Sequence, residues 1–475
     1  MPGEPPRSED ASAIRALRDA LDFAGYRLER IRPVVLDASR AARTDALGCL
    51  VRLFFLRLSV EREDAEVALR PLGLTGAERL GLVRSERERV TGLVELLPSE
   101  GDVFASDGDT SSEPRPDHVM SPAGSSRLLA HLTPRRPVHT TLDLGTGCGY
   151  QAILAARHSD HVVATDINPR ALAFTAFNAA LNGVANLECR QADWLSALES
   201  DEAFDLVLCN PPYVIAPSAA VLYRDDPLGN GGLSRQLVER IPAVLRPSGI
   251  ALVLVGWSHA AEQHWAEPLT QWLDGRCDAW LLRRSSVDPP TYAATWNAHL
   301  AGDRLRYAEA IEQWTAFFAR EGMQRVAEGA VALRRRSDAG TAHVRYDDLP
   351  QGDLDNSAAD DLMHRMEVSS WLDDLDEVAL RALRPVLVDD QRLEQTLRVR
   401  DGRFHLSRAR LVGQSGLRSQ FACAPLLLRL LAAIDGRHSV NEVIQLAGAA
   451  DSHDEALRLV REAAAHNALR LEPAA

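Results

Sequence analysis

The residues Asn210-Pro211-Pro212-Tyr213 could hold a reacting group in place. The Asn210 side-chain oxygen and the Pro211 backbone carbonyl can each accept a hydrogen bond from a nitrogen that carries two N–H donors. This pair of acceptors would aim the nitrogen lone pair and stabilise positive charge that develops on the nitrogen. The two prolines fix φ and stiffen the corner, and the Tyr213 ring can stack on a flat amide or base. The alternative is purely structural, since Asn and Pro are also frequent in turns that follow strands.

A glycine-rich stretch upstream could bind a polar ligand. Residues 141–144 predict a short buried strand, residues 145–149 a turn with glycine at alternate positions, and residues 150–157 a helix. Glycine suits a backbone that has positive φ or lies against a ligand, and a helix N-terminus offers N–H groups. Asp166 ends the next apolar strand, where nucleoside-binding α/β folds place the acid that accepts hydrogen bonds from ribose hydroxyls. The spacing Gly-x-Gly-x-Gly differs from the Gly-x-Gly-x-x-Gly that is expected for a pyrophosphate.

Strands and helices alternate regularly around these motifs. Apolar strands are predicted at 140–144, 161–165, 186–190, 204–209 and 250–255, with helices between them. Such an alternation implies right-handed crossovers and a parallel sheet that is covered on both faces. The predicted fold class is therefore α/β.

The glycine turn, Asp166, Asp193-Trp194 and the Asn210–Tyr213 corner follow one another along the chain, and these four motifs in this order resemble the class I S-adenosylmethionine-dependent methyltransferases. The chain resembles the branch with Asn-Pro-Pro-Tyr, which includes HemK-type protein glutamine methyltransferases and methyltransferases of exocyclic amines on DNA and RNA bases. The resemblance covers about 115–335 and implies a Rossmann-like sheet with S-adenosylmethionine as the cofactor. It implies catalytic roles for Asn210, Pro211, Pro212 and Tyr213. The implied cofactor-binding residues are Asp143, Gly145, Thr146, Gly147, Gly149, Asp166, Ile167, Asp193, Trp194 and Asn210.

Several of these residues have individual expected roles. Asp193 follows the third strand and would accept from the adenine amino group with Trp194 beside the ring, although it could be an ordinary loop acid. Ile167 would supply an apolar wall for adenine, and by family analogy Asp143 faces the methionine ammonium end. His118 could act as a base, but a lone His near a helix start more often caps or packs. In related methyltransferases the stretch that contains His118 folds over the cofactor.

The regions that flank the sheet predict further domains. Helical spacing followed by short strands over 11–108 predicts a winged-helix-like domain, either a cap packed on the catalytic domain or a substrate-recognition module. The methyltransferase domain would span 115–337, with a mostly helical insertion at 286–322 that either walls the substrate site or is purely structural. A run dense in Asp predicts a solvated linker at 338–378, and 379–475 predicts a second winged-helix-like domain.

Two segments outside the strands of the predicted sheet have distinctive compositions, one rich in arginine and the other rich in glycine. Arginines are frequent between 393 and 411, and Arg400-Asp-Gly-Arg403 predicts a hairpin with a two-residue turn. These arginines could bind phosphates, an acidic partner or the Asp-rich run. The glycines between 224 and 234 predict either a mobile loop near the substrate or a tight turn.

Composition limits the class of protein. The chain has 475 residues and a net charge of −14, which gives it no overall attraction to nucleic acid, although a local basic face could exist. Its six cysteines are scattered, which argues against a zinc site or a disulfide framework and for a reducing cytoplasm. The Asp-rich run lacks calcium-loop spacing, so no metal site is predicted. No signal segment or bilayer-spanning apolar run is expected.

The favoured function is methyl transfer from S-adenosylmethionine to a planar amide or amine nitrogen, with a protein glutamine side chain as the acceptor. One alternative acceptor is the exocyclic amine of an RNA or DNA base, reached through the terminal domains; another is a small molecule or peptide natural product. A non-catalytic cofactor-binding protein is a further alternative, against which the intact Asn210 and Pro211 argue. The expected partner is a protein substrate, with no membrane, and the sequence leaves the oligomeric state open.

Overall fold

The computed structural model of the protein describes residues 4–36, 45–108, 116–198, 201–219, 221–337 and 341–473. The chain divides into two compact units. The first unit comprises Met1–Ala130, Arg135–Trp272 and Ser286–Glu328. The second unit comprises His131–Pro134, Leu273–Ser285 and Gly329–Ala475.

Helices and strands account for most of the described chain. The helices are α1 (Ala11–Ala24), α2 (Leu28–Leu36), α3 (Ala46–Leu50), α4 (Arg62–Ala68), α5 (Gly73–Arg79), α6 (Gly124–Leu132), α7 (Tyr150–Ala155), α8 (Pro169–Leu181), α9 (Gly232–Arg240), α10 (Glu267–Thr270), α11 (Pro289–Trp296), α12 (Arg304–Arg320), α13 (Ala358–Asp374), α14 (Glu377–Ala382), α15 (Pro425–Ala433), α16 (Val440–Leu446) and α17 (His453–Ala465). The strands are β1 (Val60–Glu61), β2 (Val83–Glu86), β3 (Arg89–Gly92), β4 (Glu95–Ser99), β5 (Asp102–Ser106), β6 (Val138–Leu144), β7 (Ser159–Asp166), β8 (Leu187–Gln191), β9 (Phe204–Cys209), β10 (Leu245–His259), β11 (Cys277–Val287), β12 (Arg325–Arg335), β13 (Val344–Asp348), β14 (Arg384–Leu387), β15 (Gln391–Arg400), β16 (Arg403–Gly413), β17 (Gln420–Ala422) and β18 (Leu469–Glu472). No helix in the described ranges is both long and apolar enough to cross a bilayer.

The first unit contains five parallel strands in the order β10-β9-β6-β7-β8. The predicted α/β class with a Rossmann-like parallel sheet is confirmed. Leu144, which ends β6, pairs with Thr165 on β7 and with Cys209 on β9. The carboxyl ends of these three strands therefore lie at one level, and the residues that follow them meet at one edge. The strand order reverses at β6, which is where open α/β sheets bind their ligands.

The N-terminal region packs onto helix α8 within the first unit. The Asn178 side-chain amide accepts from the Ala105 N–H at 2.8 Å and donates to the Ala105 carbonyl at 2.9 Å. One turn further on, Asn182 forms the same two hydrogen bonds with Val103, at 3.0 and 2.9 Å. Strand β5 pairs with β4 along one edge. Along its other edge, the side chains of Asn178 and Asn182 satisfy the backbone N–H and carbonyl groups of Ala105 and Val103. The packing supports the prediction of a cap on the catalytic domain.

Both ends of the chain combine short helices with small antiparallel sheets. In the first unit the strand order is β1-β3-β2. In the second unit β14 pairs with β18, and helices α15 to α17 precede β18. A winged helix has the same general composition, and that specific assignment stays a prediction.

The insertion is helical, as the sequence predicts, with α11 and α12 as its main elements. Tyr292, Trp314 and Phe318 form an apolar cluster with Val214. Val214 directly follows the Asn210–Tyr213 corner, so the insertion packs beside the predicted catalytic residues.

Residues 338–340 of the solvated linker that was predicted over 338–378 lie outside the described residues. Within 341–378 the Asp-rich run is folded, which corrects that expectation. Strand β13 pairs in parallel with β11, and helix α13 follows it. Asp347 on β13 is only 7% exposed, and its carboxylate accepts hydrogen bonds from Arg365, His466 and Trp280 at 3.0–3.1 Å. Burial alone would raise the pKa of Asp347, but the His466 hydrogen bond and the nearby positive charges bring that pKa below its usual value. Local composition could not reveal this, because the partners lie 18, 119 and 67 positions away.

Strands β15 and β16 form a long antiparallel hairpin in the second unit. Arg400 pairs with Arg403 across Asp401 and Gly402, whose φ values are 49° and 73°. Two successive positive φ values match the twist of the flanking strands, and Asp-Gly is a preferred pair for them. The predicted two-residue turn is confirmed.

Candidate active site

The glycine-rich turn is held by the end of the neighbouring strand β7. The N–H groups of Gly145 and Thr146 both donate to the Thr165 carbonyl at 2.9 Å, and the Gly147 N–H donates to Asp166 Oδ2 at 2.9 Å. The φ values are 71° at Gly145, 58° at Gly147 and 82° at Gly149. This left-handed conformation explains why glycine recurs at alternate positions.

Asp166 faces the turn, and both of its carboxylate oxygens accept hydrogen bonds from the backbone. Oδ2 accepts from Gly147 and Oδ1 accepts from the Asn168 N–H, each at 2.9 Å. Burial raises the pKa of Asp166, and these backbone N–H groups act in the opposite direction. Each oxygen keeps a second lone pair, so the carboxylate can still accept from ribose hydroxyls. Next to it, Ile167 is 51% exposed and lines the cavity, as an apolar wall for adenine requires.

Asp143 lies beneath the turn and is 1% exposed. Its Oδ2 accepts from Thr146 Oγ1 at 2.7 Å and from the Ala152 N–H at 3.0 Å. Burial raises the pKa of Asp143 to about 7; the two hydrogen bonds oppose this rise, and the charge of Asp166 adds to it. A cationic group beside Asp143 would favour the ionised carboxylate. The site therefore suits the predicted contact with the methionine ammonium group.

Asp193 and Trp194 follow strand β8 and line the same cavity. Trp194 has a φ of 52°, and a Cβ added at Gly145 would lie 3.5 Å from its Cζ3 atom. The Asp193 side chain accepts from the Ser196 N–H, and Ser196 Oγ accepts from the Asp193 N–H at 3.1 Å. Asp193 thus organises its own loop, and its contact with adenine stays a prediction.

The Asn210 corner follows strand β9 and meets the glycine turn at the edge of the sheet. Pro211 is buried, while Asn210 and Tyr213 are half-buried. The Asn210 amide nitrogen donates to Ser125 Oγ across 3.5 Å, which makes a weak hydrogen bond. This orientation leaves the amide oxygen to accept from a substrate. Ser125 belongs to the stretch that was expected to cover the cofactor, and residues 118–121 and 123–126 of that stretch line the cavity.

A cavity of about 980 Å³ joins the glycine turn to the Asn210 corner. Every predicted site residue lines it except Gly149. Gly149 lies behind the wall, where an added Cβ would be 3.0 Å from Thr175 Cγ2. Ligand pockets measure about 300–1,000 Å³, so the cavity can hold the cofactor together with an acceptor side chain. Within the described residues, no group of three or more His, Cys, Asp or Glu side chains could hold a metal ion.

The insertion at 286–322 forms part of the cavity wall. The sequence left two interpretations of this insertion, a wall of the substrate site or a purely structural role. Trp296, His299, Leu300 and Arg306 all line the cavity. The structure therefore favours a role for the insertion in walling the site over a purely structural role.

Glu328 is a wall residue that the sequence analysis missed. Its Oε1 accepts from Trp296 Nε1 at 2.9 Å, and it also forms a hydrogen bond with Tyr292. The Tyr292 hydroxyl oxygen accepts from the Ile215 N–H at 3.3 Å. Burial raises the pKa of Glu328, and its two hydrogen bonds oppose that rise. The network ties the insertion to the segment after Tyr213, and no local pattern around Glu328 signals it.

His118 has the contacts of a packing residue. It is 5% exposed, and its Nε2 donates to the Gly108 carbonyl at 2.9 Å. Its ring centroid lies 5.5 Å from that of Tyr223. These contacts support the packing role over the role of a base.

The loop at 224–234 is organised by a buried carboxylate. Asp226 is 3% exposed, and its Oδ1 accepts from the N–H groups of Leu228 and Leu233 at 2.9 and 3.3 Å. Gly231 has a φ of 74°, and an added Cβ would lie 2.5 Å from the Gly256 carbonyl oxygen. The geometry supports the tight-turn interpretation of these glycines.

Two families match parts of the chain. Residues 119–261 match the family described as Methyltransferase small domain. Residues 7–93 match the family described as Domain of unknown function (DUF7059). The first match covers the glycine turn, Asp166 and the Asn210 corner.

Curated relatives are similar to the same part of the chain. The Release factor glutamine methyltransferase of Cereibacter sphaeroides is 40% identical over 152 residues, which is 29% of this chain and 54% of that relative. The one from Xylella fastidiosa (strain 9a5c) is 31% identical over 207 residues, which is 40% of this chain and 73% of that relative. The Ribosomal protein uL3 glutamine methyltransferase of Bordetella pertussis is 36% identical over 132 residues, which is 25% of this chain and 44% of that relative. The chain thus spans about half the length of the first relative, 54%, and nearly three quarters of the second, 73%. On the match to the second relative together with the methyltransferase domain, the chain belongs to the release factor glutamine methyltransferase family of class I S-adenosylmethionine-dependent methyltransferases.

Proposed function

We propose that the chain transfers a methyl group from S-adenosylmethionine to the side-chain amide nitrogen of a glutamine in a protein. The observation that carries the proposal is that the Asn210 corner, the glycine turn and Asp166 line the same cavity. The names of the relatives support glutamine as the acceptor, in release factors and in a ribosomal protein. The net charge of −14 also favours a protein over a polyanionic substrate.

The residues of the cavity fit the proposed cofactor. Asp166 would accept from the ribose hydroxyls, Ile167 and Trp194 would hold adenine, and Asp143 would face the amino acid end. The N–H groups of Gly145, Thr146 and Gly147 already donate to the Thr165 carbonyl and to Asp166, so they hold the turn that lines the cavity in shape. S-adenosylmethionine supplies an electrophilic methyl group on a positively charged sulfur.

The Asn210 corner would activate the acceptor by orientation. An amide nitrogen is a weak nucleophile because its lone pair is delocalised into the carbonyl group. When the Asn210 oxygen and the Pro211 carbonyl accept its two N–H groups, the nitrogen moves toward tetrahedral geometry with its lone pair directed at the methyl carbon. Tyr213 would stack on the flat amide. As the new C–N bond forms, the bond between the methyl carbon and the sulfur would break and S-adenosylhomocysteine would leave with the electron pair. The nitrogen is then positively charged and acidic, so it loses a proton to solvent without needing a strong base beforehand.

We further infer that the regions 11–108 and 379–475 are winged-helix-like modules that flank a catalytic domain at 115–337. Their short helices beside small antiparallel sheets support this assignment. All six cysteines are free, which supports a reducing compartment such as the cytoplasm.

Labelled-methyl transfer tests the proposed acceptor. Purified protein is incubated with methyl-labelled S-adenosylmethionine and bacterial lysate, and the product is digested with nuclease or protease. We expect label that resists nuclease, is released by protease and is recovered as methylated glutamine. Label that disappears on nuclease treatment would replace this acceptor with a nucleic-acid base.

A pair of variants tests the proposed roles of the site residues. Asn210→Ala should keep most of its S-adenosylmethionine affinity, because Asp166, Asp143 and the glycine turn remain, but it should transfer methyl groups about 10²–10³-fold more slowly, as for the loss of one oriented hydrogen-bonding group. Asp166→Ala should instead weaken cofactor binding by about 5–150-fold, because ribose hydroxyls lose an acceptor at about 1–3 kcal/mol. An Asn210→Ala enzyme with the wild-type rate would refute the mechanism.

A further inference from the structure

The tip of the β15–β16 hairpin, residues 397–406, has two chemically distinct faces. Four directly opposed pairs form it: 397 with 406, 398 with 405, 399 with 404, and 400 with 403. Opposed residues share a face, and successive residues along a strand alternate between faces. One face therefore carries the apolar side chains of Leu397, Val399, Phe404 and Leu406. The other face carries the basic side chains of Arg398, Arg400, Arg403 and His405.

Both faces of this tip are exposed. The apolar side chains are 54% exposed at Leu397, 63% at Val399, 75% at Phe404 and 42% at Leu406. The four basic residues are exposed as well. Neither face therefore helps to hold the core of the second unit together, and a two-stranded ribbon has little stability of its own. The apolar and basic side chains are separated onto opposite faces, and both faces are exposed to solvent. This separation indicates a surface that contacts a partner.

The positive charge of the tip is not neutralised within the described parts of the chain. Arg398, Arg400 and Arg403 form no ion pair with any carboxylate there. At the base of the same hairpin, Arg392 and Arg410 share Glu394 at 2.8 and 2.6 Å. With Asp401 in the turn, the three arginines leave the tip a net charge of +2 on a chain whose net charge is −14. A polyanion is the partner whose charge matches this local face.

We propose that the tip is a docking arm for single-stranded segments of a folded RNA. Proteins that bind single-stranded nucleic acid combine cations along the backbone with aromatic rings on which bases stack. Phe404 is the most exposed of the four apolar residues of the tip and lies between Arg403 and His405 in sequence. The arginines bind phosphates on one face, and Phe404 stacks on an unpaired base on the other. RNA is favoured because its loops and bulges present such unstacked bases.

A second copy of the chain and a lipid bilayer are two other possible partners, and each would contact only one face of the tip. The four apolar side chains together expose of the order of 400 Å², whereas a stable dimer buries about 800 Å² on each partner. A second copy of the chain would therefore be held too weakly through this face. A flat bilayer would contact the apolar face while the arginines on the opposite face point away from the lipid headgroups. A folded RNA can contact both faces of a thin ribbon.

Fluorescence anisotropy with the full chain tests the proposal. The probes are a labelled mixed-sequence single-stranded RNA, a duplex RNA and a duplex DNA, each titrated over a range of salt concentrations and without cofactor. We expect the single-stranded RNA to bind most tightly. The variant Arg398→Gln/Arg400→Gln/Arg403→Gln should flatten the plot of log K against log salt by about 2, since each phosphate contact on a single strand contributes about 0.7. Phe404→Ser should weaken binding by about 5–150-fold and leave that slope unchanged.

A matched control removes the same charge elsewhere in the second unit. Arg429→Gln/Arg437→Gln/Arg470→Gln changes three exposed arginines outside the hairpin, and it should retain the wild-type slope. Circular dichroism and cofactor affinity should be the same for all variants, because every altered side chain is exposed. Absence of single-stranded RNA binding, tighter binding of the duplex RNA or the duplex DNA, or an equal effect of the control triple would overturn the proposal.

Discussion

Replacing Asn178 by Ala tests whether the N-terminal region supports the cofactor turn. Asn178 is fully buried and forms two hydrogen bonds with Ala105 of strand β5. It also donates to the carbonyl of Cys148 at 2.8 Å, and Cys148 lies between Gly147 and Gly149 of the turn. One side chain therefore connects the N-terminal hairpin, helix α8 and the floor of the cavity.

The structure sets the size of the expected effect. Asn178→Ala leaves the Ala105 N–H, the Ala105 carbonyl and the Cys148 carbonyl buried without these partners. At about 1–3 kcal/mol for each buried polar group, with partial relaxation, the free energy of unfolding should fall by about 3–5 kcal/mol. The first unit has about 310 residues, and at about 2.1 cal/mol/K of unfolding entropy per residue its melting temperature should fall by about 5–8 °C. The variant also removes the hydrogen bond from Asn178 to the Cys148 carbonyl in the glycine turn. The turn is then held less firmly, so S-adenosylmethionine should bind more weakly.

Asn182→Ala is the matched control. Asn182 forms the same two hydrogen bonds with Val103 and a third with the Asn178 carbonyl at 2.8 Å, but it is half-buried. Water can replace its hydrogen bonds, so the loss should be about 1 kcal/mol. Calorimetric unfolding and cofactor titration measure both effects. Equal destabilisation by the two variants, or unchanged cofactor affinity in Asn178→Ala, would refute the reasoning.

Two further predictions concern titratable groups of the cavity. Burial raises the pKa of Asp143 to about 7, so its carboxyl is mostly protonated below pH 7 and ionised above it in the free protein. The affinity for the positively charged cofactor should therefore rise between pH 6 and pH 8, whereas Asp143→Asn should remove this pH dependence; a flat wild-type profile in titration calorimetry would contradict the prediction. Glu328→Ala leaves the Trp296 N–H and the Tyr292 hydroxyl without their acceptor, so the KM for the acceptor protein should rise about 5–150-fold at unchanged cofactor affinity. Glu328→Gln keeps an acceptor oxygen and should recover part of the loss in steady-state kinetics, and a variant that alters only cofactor binding would argue against this role.

Local sequence was sufficient for features that depend on a few neighbouring residues. The glycines at 145, 147 and 149 were predictable because their positive φ is costly for other residues. The Asp401-Gly402 turn was predictable for the same reason. Apolar runs of strand length identified the five parallel strands of the first unit, and the motifs at their carboxyl ends indicated the reaction class.

Tertiary structure alone decided which distant residues complete each site. Glu328 reaches Trp296 across 32 positions, Asn178 reaches Ala105 across 73, and Asp347 reaches His466 across 119. The Asp-rich run is charged enough to suggest a solvated segment, yet Asp347 is buried because a distant Arg and His supply hydrogen bonds and opposite charge. Whether a polar side chain is solvated, structural or part of a site depends on its partners in space, and those partners are brought to it only when the chain folds.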